Sequence, residues 1–282
     1  MKTNFSLKNY STFGVDAFCK NLYLPRSCAE LVQILSTLDK TREKYKVIGN
    51  GSNILKKKKC KKTTIVCTRK MAKRITFKNG FVTFSASCTM ADAFAYCLQK
   101  GLSGFEKLAL IPGTIGGAVV GNAGCDGDEI FDRLVSIKVY HNSKVFTMKK
   151  EEVSRSYRDT FFKANPSYTI LSAKFSLPEC DKKALLSTFI FSREKRQEKQ
   201  PFGKCGGSTF KNFSSVPAGK LIEKCALKGR RIGGACISFK HANFIINDKN
   251  ASSKDIVRLI DLCKKSVKKK FNMTLKEEIE IF

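Results

Sequence analysis

The 282-residue sequence predicts an α+β fold. Helix-like and strand-like segments are mixed along the chain, without the strict alternation that marks a parallel α/β sheet. Two glycine-rich turns, at 49–53 and within 104–124, are flanked by apolar runs. A chain of this length can form two or three compact domains, and no internal repeat divides it.

Hydrophobic periodicity predicts two helices in the first hundred residues. The apolar residues of 29–38 share one helical face, and a second helix over 90–100 ends at Gly101. Short apolar runs predict strands in the same region, at 22–25, 46–48, 64–67 and 81–86.

The remaining chain continues the mixed pattern. Alternating residues predict strands at 134–140, 168–175 and 243–247. Helical patterns occur at 180–199, 218–225 and 252–271. The charged helix 180–199 is interpreted as a link between domains, and Ser252 or Ser253 as the cap of the last helix.

The formal net charge is +29, from 53 Lys and Arg residues against 24 Asp and Glu residues. The charge is spread along the chain, and its densest runs, 56–62 and 264–270, are typical of a solvated loop or helix face. No zinc-finger, RNA-recognition or helix-turn-helix signature accompanies them, so we expect no nucleic-acid partner. The positive field can still attract an anionic substrate.

The 12 cysteines are scattered and form no CxxC pair, and the chain has only two histidines. This composition predicts no metal site and suggests small core residues in a reducing compartment. No apolar run approaches the roughly 20 residues of a membrane helix. The first residues lack the apolar core of a signal peptide, so we expect a cytoplasmic protein with no membrane partner.

The segment 104–124 carries glycines among apolar residues, at Gly104, Gly113, Gly116, Gly117, Gly121 and Gly124. Its spacing matches neither the phosphate loop GxxxxGK(S/T) nor the dinucleotide turn GxGxxG. Free N–H groups of such a loop can bind phosphate oxygens. Together with the turn at 49–53, it predicts two loops closing on one extended cofactor. The alternative is a set of tight turns in a compact domain.

Ten motifs follow one another in a recognisable order, at 10–15, 49–53, 101–124, 156–159, 196–201, 207–212, 217–223, 227–235, 240–244 and 275–279. In this order the chain resembles the UDP-N-acetylenolpyruvoylglucosamine reductases, in the compact type that lacks the substrate-covering tyrosine loop. The resemblance implies an FAD-binding fold of the vanillyl-alcohol-oxidase type, with two subdomains, plus a C-terminal α+β substrate domain.

The resemblance also implies domain boundaries and ligands. The FAD subdomains would span 1–66 and 67–178, with a linking helix at 179–199. A UDP-sugar-binding domain would span 200–273, and 274–282 would be a strand returning to the active site. We expect a monomer that binds a small UDP-sugar, holds FAD non-covalently and takes hydride from NADPH. The implied FAD-binding residues are Gly49, Asn50, Gly51, Ser52, Asn53, Pro112, Gly113, Thr114, Gly116, Gly117, Asn122, Ala123 and Gly124.

The implied reaction reduces the enolpyruvyl group of UDP-N-acetylglucosamine-enolpyruvate to give UDP-N-acetylmuramate for peptidoglycan. Flavin N5 would deliver hydride to C3, and Ser208 would protonate C2. Arg158 and Glu278 would stabilise the charge that develops at C2 and the carboxylate. Lys211, Asn212 and Arg230 are the candidate substrate contacts.

Each catalytic candidate also has a simpler interpretation. Arg158 could form a surface ion pair with Asp159, Glu278 could lie on an exposed strand, and Ser208 could be a turn residue. The chain departs from the family pattern at Gly121, 125–127 and Glu280, and at 205–208, where the glycines suggest a looser serine loop. A related flavoenzyme with another substrate, or a basic protein that binds nucleic acid or lipid, are the competing functions.

Overall fold

The computed structural model describes residues 5–56 and 63–282. They form two compact units. Unit 1 contains the described parts of 1–21 and 51–63, together with Arg196–Phe282. Unit 2 contains Leu22–Asn50 and Thr64–Lys195. The predicted domain boundaries stay a prediction.

Unit 2 contains two sheets. A three-stranded parallel sheet has the order Leu22–Tyr23, Thr64–Cys67 and Tyr45–Ile48. A five-stranded antiparallel sheet has the order Lys144–Lys149, Leu134–His141, Thr169–Ser176, Phe81–Ser85 and Ile75–Lys78. Unit 2 also has two short hairpins, which pair Gly124–Cys125 with Asp128–Glu129 and Arg155–Ser156 with Asp159–Thr160.

The helices of unit 2 are Cys28–Lys40, Met90–Lys100, Ile115–Gly121 and Phe161–Ala164, and helix Lys182–Lys199 belongs to it as far as Lys195. Thr89 begins the second of them through a capping box with Asp92, and Gly101 ends it in the left-handed conformation. The main core lies on the larger sheet, where the buried rings of Phe84, Phe105 and Phe175 meet edge to face at 5.3–5.8 Å.

A second core in unit 2 holds helix Cys28–Lys40, whose predicted apolar face is buried at Leu31, Leu35 and Leu38. The carboxylate of Asp39 accepts hydrogen bonds from the hydroxyls of Tyr140, at 2.6 Å, and Tyr45, at 3.0 Å. These bonds fix the C-terminal end of the helix to two strands, one from each sheet.

Unit 1 is built on a three-stranded antiparallel sheet of Arg231–Ile232, Ala235–Ile237 and Ile245–Asn247. Helices Ala218–Lys224 and Ser253–Phe271 supply its other apolar faces. Ser252 is the N-cap of the long helix and forms a capping box with Asp255. The remaining strands pair Phe5–Ser6 with Phe18–Cys19, and Ile54–Leu55 with the C-terminal Glu280–Ile281.

The α+β class is confirmed, and most predicted elements agree within a few residues. The helix at 115–121 and the strands at 75–78 and 144–149 were not predicted. Lys56 was predicted in a solvated loop, but it is only 3% exposed and its Nζ lies 5.8 Å from the ring centroid of Phe282. Residues 57–62 of that run lie outside the described residues. In the run 264–270, four of the five lysines are exposed.

The cysteines of the described residues are free thiols. Burial raises the pKa of Cys97 and of Cys263 to about 12, in agreement with their prediction as core residues. Within 5–56 and 63–282, no three potential metal-binding side chains cluster. In the same residues, no helix has the length and hydropathy to cross a membrane.

Candidate active site

The two predicted glycine turns meet inside unit 2. Gly49 follows strand Tyr45–Ile48, and a Cβ built on it would lie 2.4 Å from Oγ1 of Thr114. This separation is shorter than any real Cβ contact, so only glycine allows the approach. Thr114 in turn is the N-cap of helix Ile115–Gly121, which we call the glycine helix, and accepts a 3.3 Å hydrogen bond from Gly117 N–H.

The glycine helix is held against the turn at 86–88. Gly116 N–H donates to the Ala86 carbonyl at 3.0 Å, and Ile115 N–H donates to the Cys88 carbonyl at 2.8 Å. A Cβ on Gly116 would lie 2.9 Å from Cβ of Ala86. The helix thus needs glycine for close packing.

This packing corrects one sequence-based expectation. The glycine segment 104–124 was expected to offer free N–H groups that can bind phosphate oxygens, but within it the N–H groups of Gly113, Ile115, Gly116 and Gly117 all donate to protein acceptors. In the other glycine segment, the N–H groups of Asn50, Gly51 and Ser52 have no acceptor among residues 5–56 and 63–282. The 49–53 turn therefore presents a run of N–H groups of the kind that can bind phosphate oxygens.

The glycine at position 51 is required by both conformation and space. Its φ of +67° lies in the left-handed region, and a Cβ there would lie 2.1 Å from the Tyr10 carbonyl oxygen. Thr12 N–H donates to the Gly51 carbonyl at 3.1 Å and fixes this turn within unit 1.

Arg158 lies at the C-terminal end of the glycine segment, in unit 2. Its Nη2 donates to the Gly124 carbonyl at 2.6 Å, and its Nη1 donates to the Asn122 carbonyl at 3.2 Å. Nη1 is also 3.7 Å from Oε1 of Glu129, and the side chain is 18% exposed. Arg158 therefore contacts the glycine segment itself, which its interpretation as a surface ion pair does not predict.

Asn122 connects these groups and is fully buried in the left-handed conformation, with φ +43°. Its Nδ2 donates to Oε2 of Glu129 at 2.7 Å and to the Ser156 carbonyl at 3.1 Å. Its Oδ1 has no hydrogen-bond partner among the described residues. A buried amide oxygen of this kind is suited to a donor on a bound ligand.

Ser208 is half-buried in unit 1, and its hydroxyl has no partner among the residues the structure describes. The loop before it is tightly packed. A Cβ on Gly206 would lie 2.5 Å from Cε2 of Phe13, Gly207 has φ +77°, and Thr12 Oγ1 donates to the Cys205 carbonyl at 2.6 Å. Gly206 is therefore required by packing and Gly207 by its backbone conformation, while the looser loop suggested by the glycines stays a prediction.

Glu278 lies beside the serine loop. Its N–H donates to the carbonyl of Thr209, the residue after Ser208, at 2.9 Å, and Lys211 N–H donates to the Lys276 carbonyl at 2.9 Å. Asn243 fixes the same loop, because its Oδ1 accepts from Phe210 N–H at 2.9 Å and its Nδ2 donates to the Phe210 carbonyl at 2.8 Å.

The returning C-terminal segment also reaches the 49–53 turn inside unit 1. Asn53 Nδ2 donates to the Glu278 carbonyl at 3.1 Å, and Glu280 N–H donates to the Asn53 carbonyl at 2.9 Å. Hydrogen bonds within unit 1 thus bring together the three segments that carry the predicted site residues Asn53, Ser208 and Glu278.

The three candidate substrate residues differ in their surroundings. Asn212 is exposed, but its Oδ1 accepts the Ala218 N–H at 3.0 Å and so caps a helix. Arg230 is exposed, beside the ion pair of Arg231 with Asp248 at 2.5 Å. Lys211 is half-buried and follows Phe210, which forms an antiparallel bridge with Glu277.

Glu129 is the site residue that sequence reasoning missed. The available signal was the Asp126-Gly127 pair, a strong hairpin-turn signal. Both residues have positive φ, +49° and +89°, and the turn pairs Glu129 with Gly124. A hairpin predicted at 124–129 would have placed this carboxylate opposite the end of the glycine segment.

Comparison with known proteins supports the cofactor expected from these segments. Residues 20–143 match an FAD binding domain, and residues 197–282 match the C-terminal domain of UDP-N-acetylenolpyruvoylglucosamine reductase. The glycine contacts at 49 and 116, the N–H groups at 50–52 and the buried Asn122 Oδ1 fit such a ligand. The fold and this site define an FAD-dependent oxidoreductase.

Similar proteins extend over the whole chain. UDP-N-acetylenolpyruvoylglucosamine reductase of Fusobacterium nucleatum is 37% identical over 281 residues, covering 99% of this chain and 98% of its own. The Clostridium novyi protein of the same name is 35% identical over 284 residues, covering 100% and 92%. A crystal structure of UDP-N-acetylenolpyruvylglucosamine reductase from Thermus caldophilus is 29% identical, with a TM-score of 0.83 and coverage of 99% and 98%. The chain belongs to the UDP-N-acetylenolpyruvoylglucosamine reductase family.

Proposed function

We propose that this protein reduces the enolpyruvyl group of UDP-N-acetylglucosamine-enolpyruvate with NADPH and yields UDP-N-acetylmuramate for peptidoglycan synthesis. The names of its relatives support the substrate class. The observation that carries the proposal is the backbone pairing at Thr209, which places Glu278 beside the loop of Ser208.

Non-covalent FAD would be held by the glycine segments. The N–H groups of Asn50–Ser52 would donate to its pyrophosphate, and the surfaces of Pro112–Gly117 and Asn122–Gly124 would pack along its length. Neither His141 nor His241 lies in these segments. When bound in these segments, FAD would supply hydride chemistry: reduced by NADPH, it would give from N5 the hydride that C3 of the enolpyruvyl group receives.

Arg158 would bind the substrate carboxylate. A guanidinium matches a carboxylate with two parallel hydrogen bonds and keeps its charge at any working pH. Its fixed position on the Asn122 and Gly124 carbonyls would let it stabilise the negative charge that spreads into the carboxylate as C3 is reduced.

Ser208 and Glu278 would complete the reaction. Ser208 would transfer the proton of its hydroxyl to C2. The carbanion that forms at C2 when C3 receives hydride is basic enough to take a proton from a weak acid that lies close to it. Glu278, protonated beside the substrate carboxylate, would donate a hydrogen bond to it. Each residue would thus act where the negative charge develops.

Lys211, Asn212 and Arg230 would contact the nucleotide part of the substrate. The subdomains 1–66 and 67–178, the linker 179–199, the substrate domain 200–273 and the returning strand 274–282 are proposed as its divisions. We propose that the protein works as a monomer in the cytoplasm.

The absorption spectrum of the purified protein and its NADPH oxidation test this proposal. A yellow protein that oxidises NADPH rapidly only when the enolpyruvyl sugar is added is the expected result. A colourless protein that binds DNA with a steep salt dependence would contradict it. A flavoprotein whose NADPH oxidation does not respond to the enolpyruvyl sugar would support the proposed cofactor and contradict the proposed substrate.

A further inference from the structure

We propose that Glu129, together with Asn122, is a positioning residue that fixes the Arg158 guanidinium before substrate binds. The inference rests on the proposed function, since it assigns these residues to the arginine that would bind the substrate carboxylate. All of them lie in unit 2.

Arg158 contacts one continuous set of acceptors. The carbonyls of Asn122 and Gly124 accept from Nη1 and Nη2 at 3.2 and 2.6 Å, and Oε1 of Glu129 lies 3.7 Å from Nη1. The guanidinium carbon also lies 4.9 Å from the ring centroid of Tyr157. A long flexible side chain is therefore oriented by neutral carbonyl acceptors together with the carboxylate of Glu129.

Asn122 links the anion to the backbone. Its carbonyl accepts from Arg158 while its Nδ2 donates to Oε2 of Glu129 at 2.7 Å. Asn122 is fully buried, and its left-handed conformation is tolerated best by Asn and Gly. The hydrogen bond from its side chain therefore holds the Glu129 carboxylate at a fixed place relative to this backbone turn.

The hairpin 124–129 holds Glu129 in place. Its tip is joined to neighbouring elements by ion pairs of Asp126 with Lys195, at 2.9 Å, and of Asp128 with Lys107, at 3.1 Å. Glu129 N–H also donates to Oδ2 of Asp132 at 2.7 Å. The backbone of Glu129 is thereby fixed on both sides.

The consequence is a preorganised cation. An arginine already held in one orientation loses less conformational freedom on binding a carboxylate, and small displacements of a binding group reduce rates strongly. Removing Glu129 should leave Arg158 charged but less well placed, so the effect should appear at the step that uses the substrate carboxylate.

The test uses the full-length flavoprotein and separates its two half-reactions. In Glu129→Ala, reoxidation of the reduced flavin by the enolpyruvyl sugar should slow on the order of tenfold to 100-fold. Flavin content and reduction by NADPH should be unchanged. Glu151→Ala, at an exposed carboxylate of the same unit, is the matched control and should reoxidise at the normal rate.

Guanidinium rescue distinguishes positioning from a general structural effect. Millimolar guanidinium chloride should partly restore reoxidation in Arg158→Ala, because the acceptors that hold the side chain remain. The rescue should be lost in the Arg158→Ala and Glu129→Ala double variant. Equal rescue in both, or normal reoxidation in Glu129→Ala, would overturn the inference while leaving Arg158 in its proposed role.

Two further outcomes are separable. If Arg158→Ala reoxidises at the normal rate, the proposed role of Arg158 is wrong and the inference is overturned with it. If Glu129→Ala does not fold, Glu129→Gln keeps an acceptor for Asn122 Nδ2, removes the charge and replaces the oxygen nearest Arg158 Nη1 with an NH2 group, which cannot accept from it. That variant should slow reoxidation on the order of tenfold, and a normal rate would overturn the inference.

Discussion

The two units hold their site residues in opposite ways. In unit 2, the guanidinium of Arg158 is fixed by the carbonyls of Asn122 and Gly124 and by Glu129. In unit 1, the hydroxyl of Ser208 has no partner among the described residues, although its loop is tightly packed. The guanidinium proposed to stabilise charge is held by hydrogen bonds, whereas the proposed proton donor lies on a tightly packed backbone and has a hydroxyl without a partner among the described residues.

The difference matches what each group would have to do. A cation that stabilises developing charge works best when it needs no reorganisation during the reaction. A hydroxyl that donates its proton would be a weaker donor if a protein acceptor held that proton in the resting state. Both arrangements depend on a glycine. Gly124 leaves room for the Arg158 guanidinium at the end of the glycine segment, and Gly207 adopts the left-handed conformation that precedes Ser208.

Removing the proposed proton donor should have the largest effect. Ser208→Ala should slow reoxidation of the reduced flavin by the enolpyruvyl sugar by about 100-fold to 10,000-fold, the usual contribution of a positioned acid. Reduction by NADPH should be unaffected, as followed by stopped-flow flavin absorbance. Ser214→Ala, at an exposed serine of the same unit, serves as the control. Normal reoxidation in Ser208→Ala would mean that another group supplies the proton.

The second-largest effect is expected at the contact between Gly49 and Thr114 in unit 2. Gly49→Ala places a Cβ against Thr114 Oγ1, so we expect loss of bound FAD and a decrease of about 1–3 kcal/mol in the free energy of unfolding. Gly121→Ala is the matched control, because a Cβ there meets nothing within 4 Å. Flavin content and chemical denaturation measure both effects. Full flavin content in Gly49→Ala would show that this contact is dispensable for the cofactor.

The smallest effects are expected at two capping boxes, that of Thr89 with Asp92 in unit 2 and that of Ser252 with Asp255 in unit 1. Burial alone would raise the pKa of Asp92, but hydrogen bonds from Lys73 and Thr89 outweigh it and lower the pKa. The pKa of Asp255 is also lowered against burial, mainly by hydrogen bonds from Ser252. Thr89→Ala and Ser252→Ala should each cost about 1 kcal/mol of stability.

The direction of these pKa shifts sets the pH dependence. A carboxyl with a lowered pKa in the folded state stabilises the protein above its unfolded pKa of about 4, and this stabilisation is lost as the pH falls further. Asp92→Asn and Asp255→Asn should therefore lose stability at pH 7 and show a weaker decline below pH 4 than the parent protein. An unchanged acid decline in both variants would contradict these roles.

Much of the fold could be predicted because periodicity is a local signal. The helix at 90–100 was predicted with the bounds observed, and helix Cys28–Lys40 within two residues at its C-terminal end. The glycine helix was not predicted, because glycine disfavours helix formation. It forms here through contacts with 86–88 that lie far away in the sequence.

The candidate site also has one part that the sequence predicted and another that depends on the tertiary structure. Motifs predicted Ser208, Glu278 and the two glycine segments, and the structure shows that Gly49 meets Thr114 and that Glu278 pairs with Thr209. Glu129 was missed because its relation to Arg158 depends on a hairpin turn. The sequence also could not show that the N–H groups of Gly113, Ile115, Gly116 and Gly117 have acceptors within the protein.

A crystal structure with flavin and UDP-N-acetylmuramate bound tests the central claim most directly. The account predicts Arg158 and Glu278 within hydrogen-bonding distance of the product carboxylate, and Ser208 Oγ within about 3.5 Å of C2, with C3 facing flavin N5. A complex in which the product carboxylate is bound by other residues, and Ser208 lies far from C2, would contradict it.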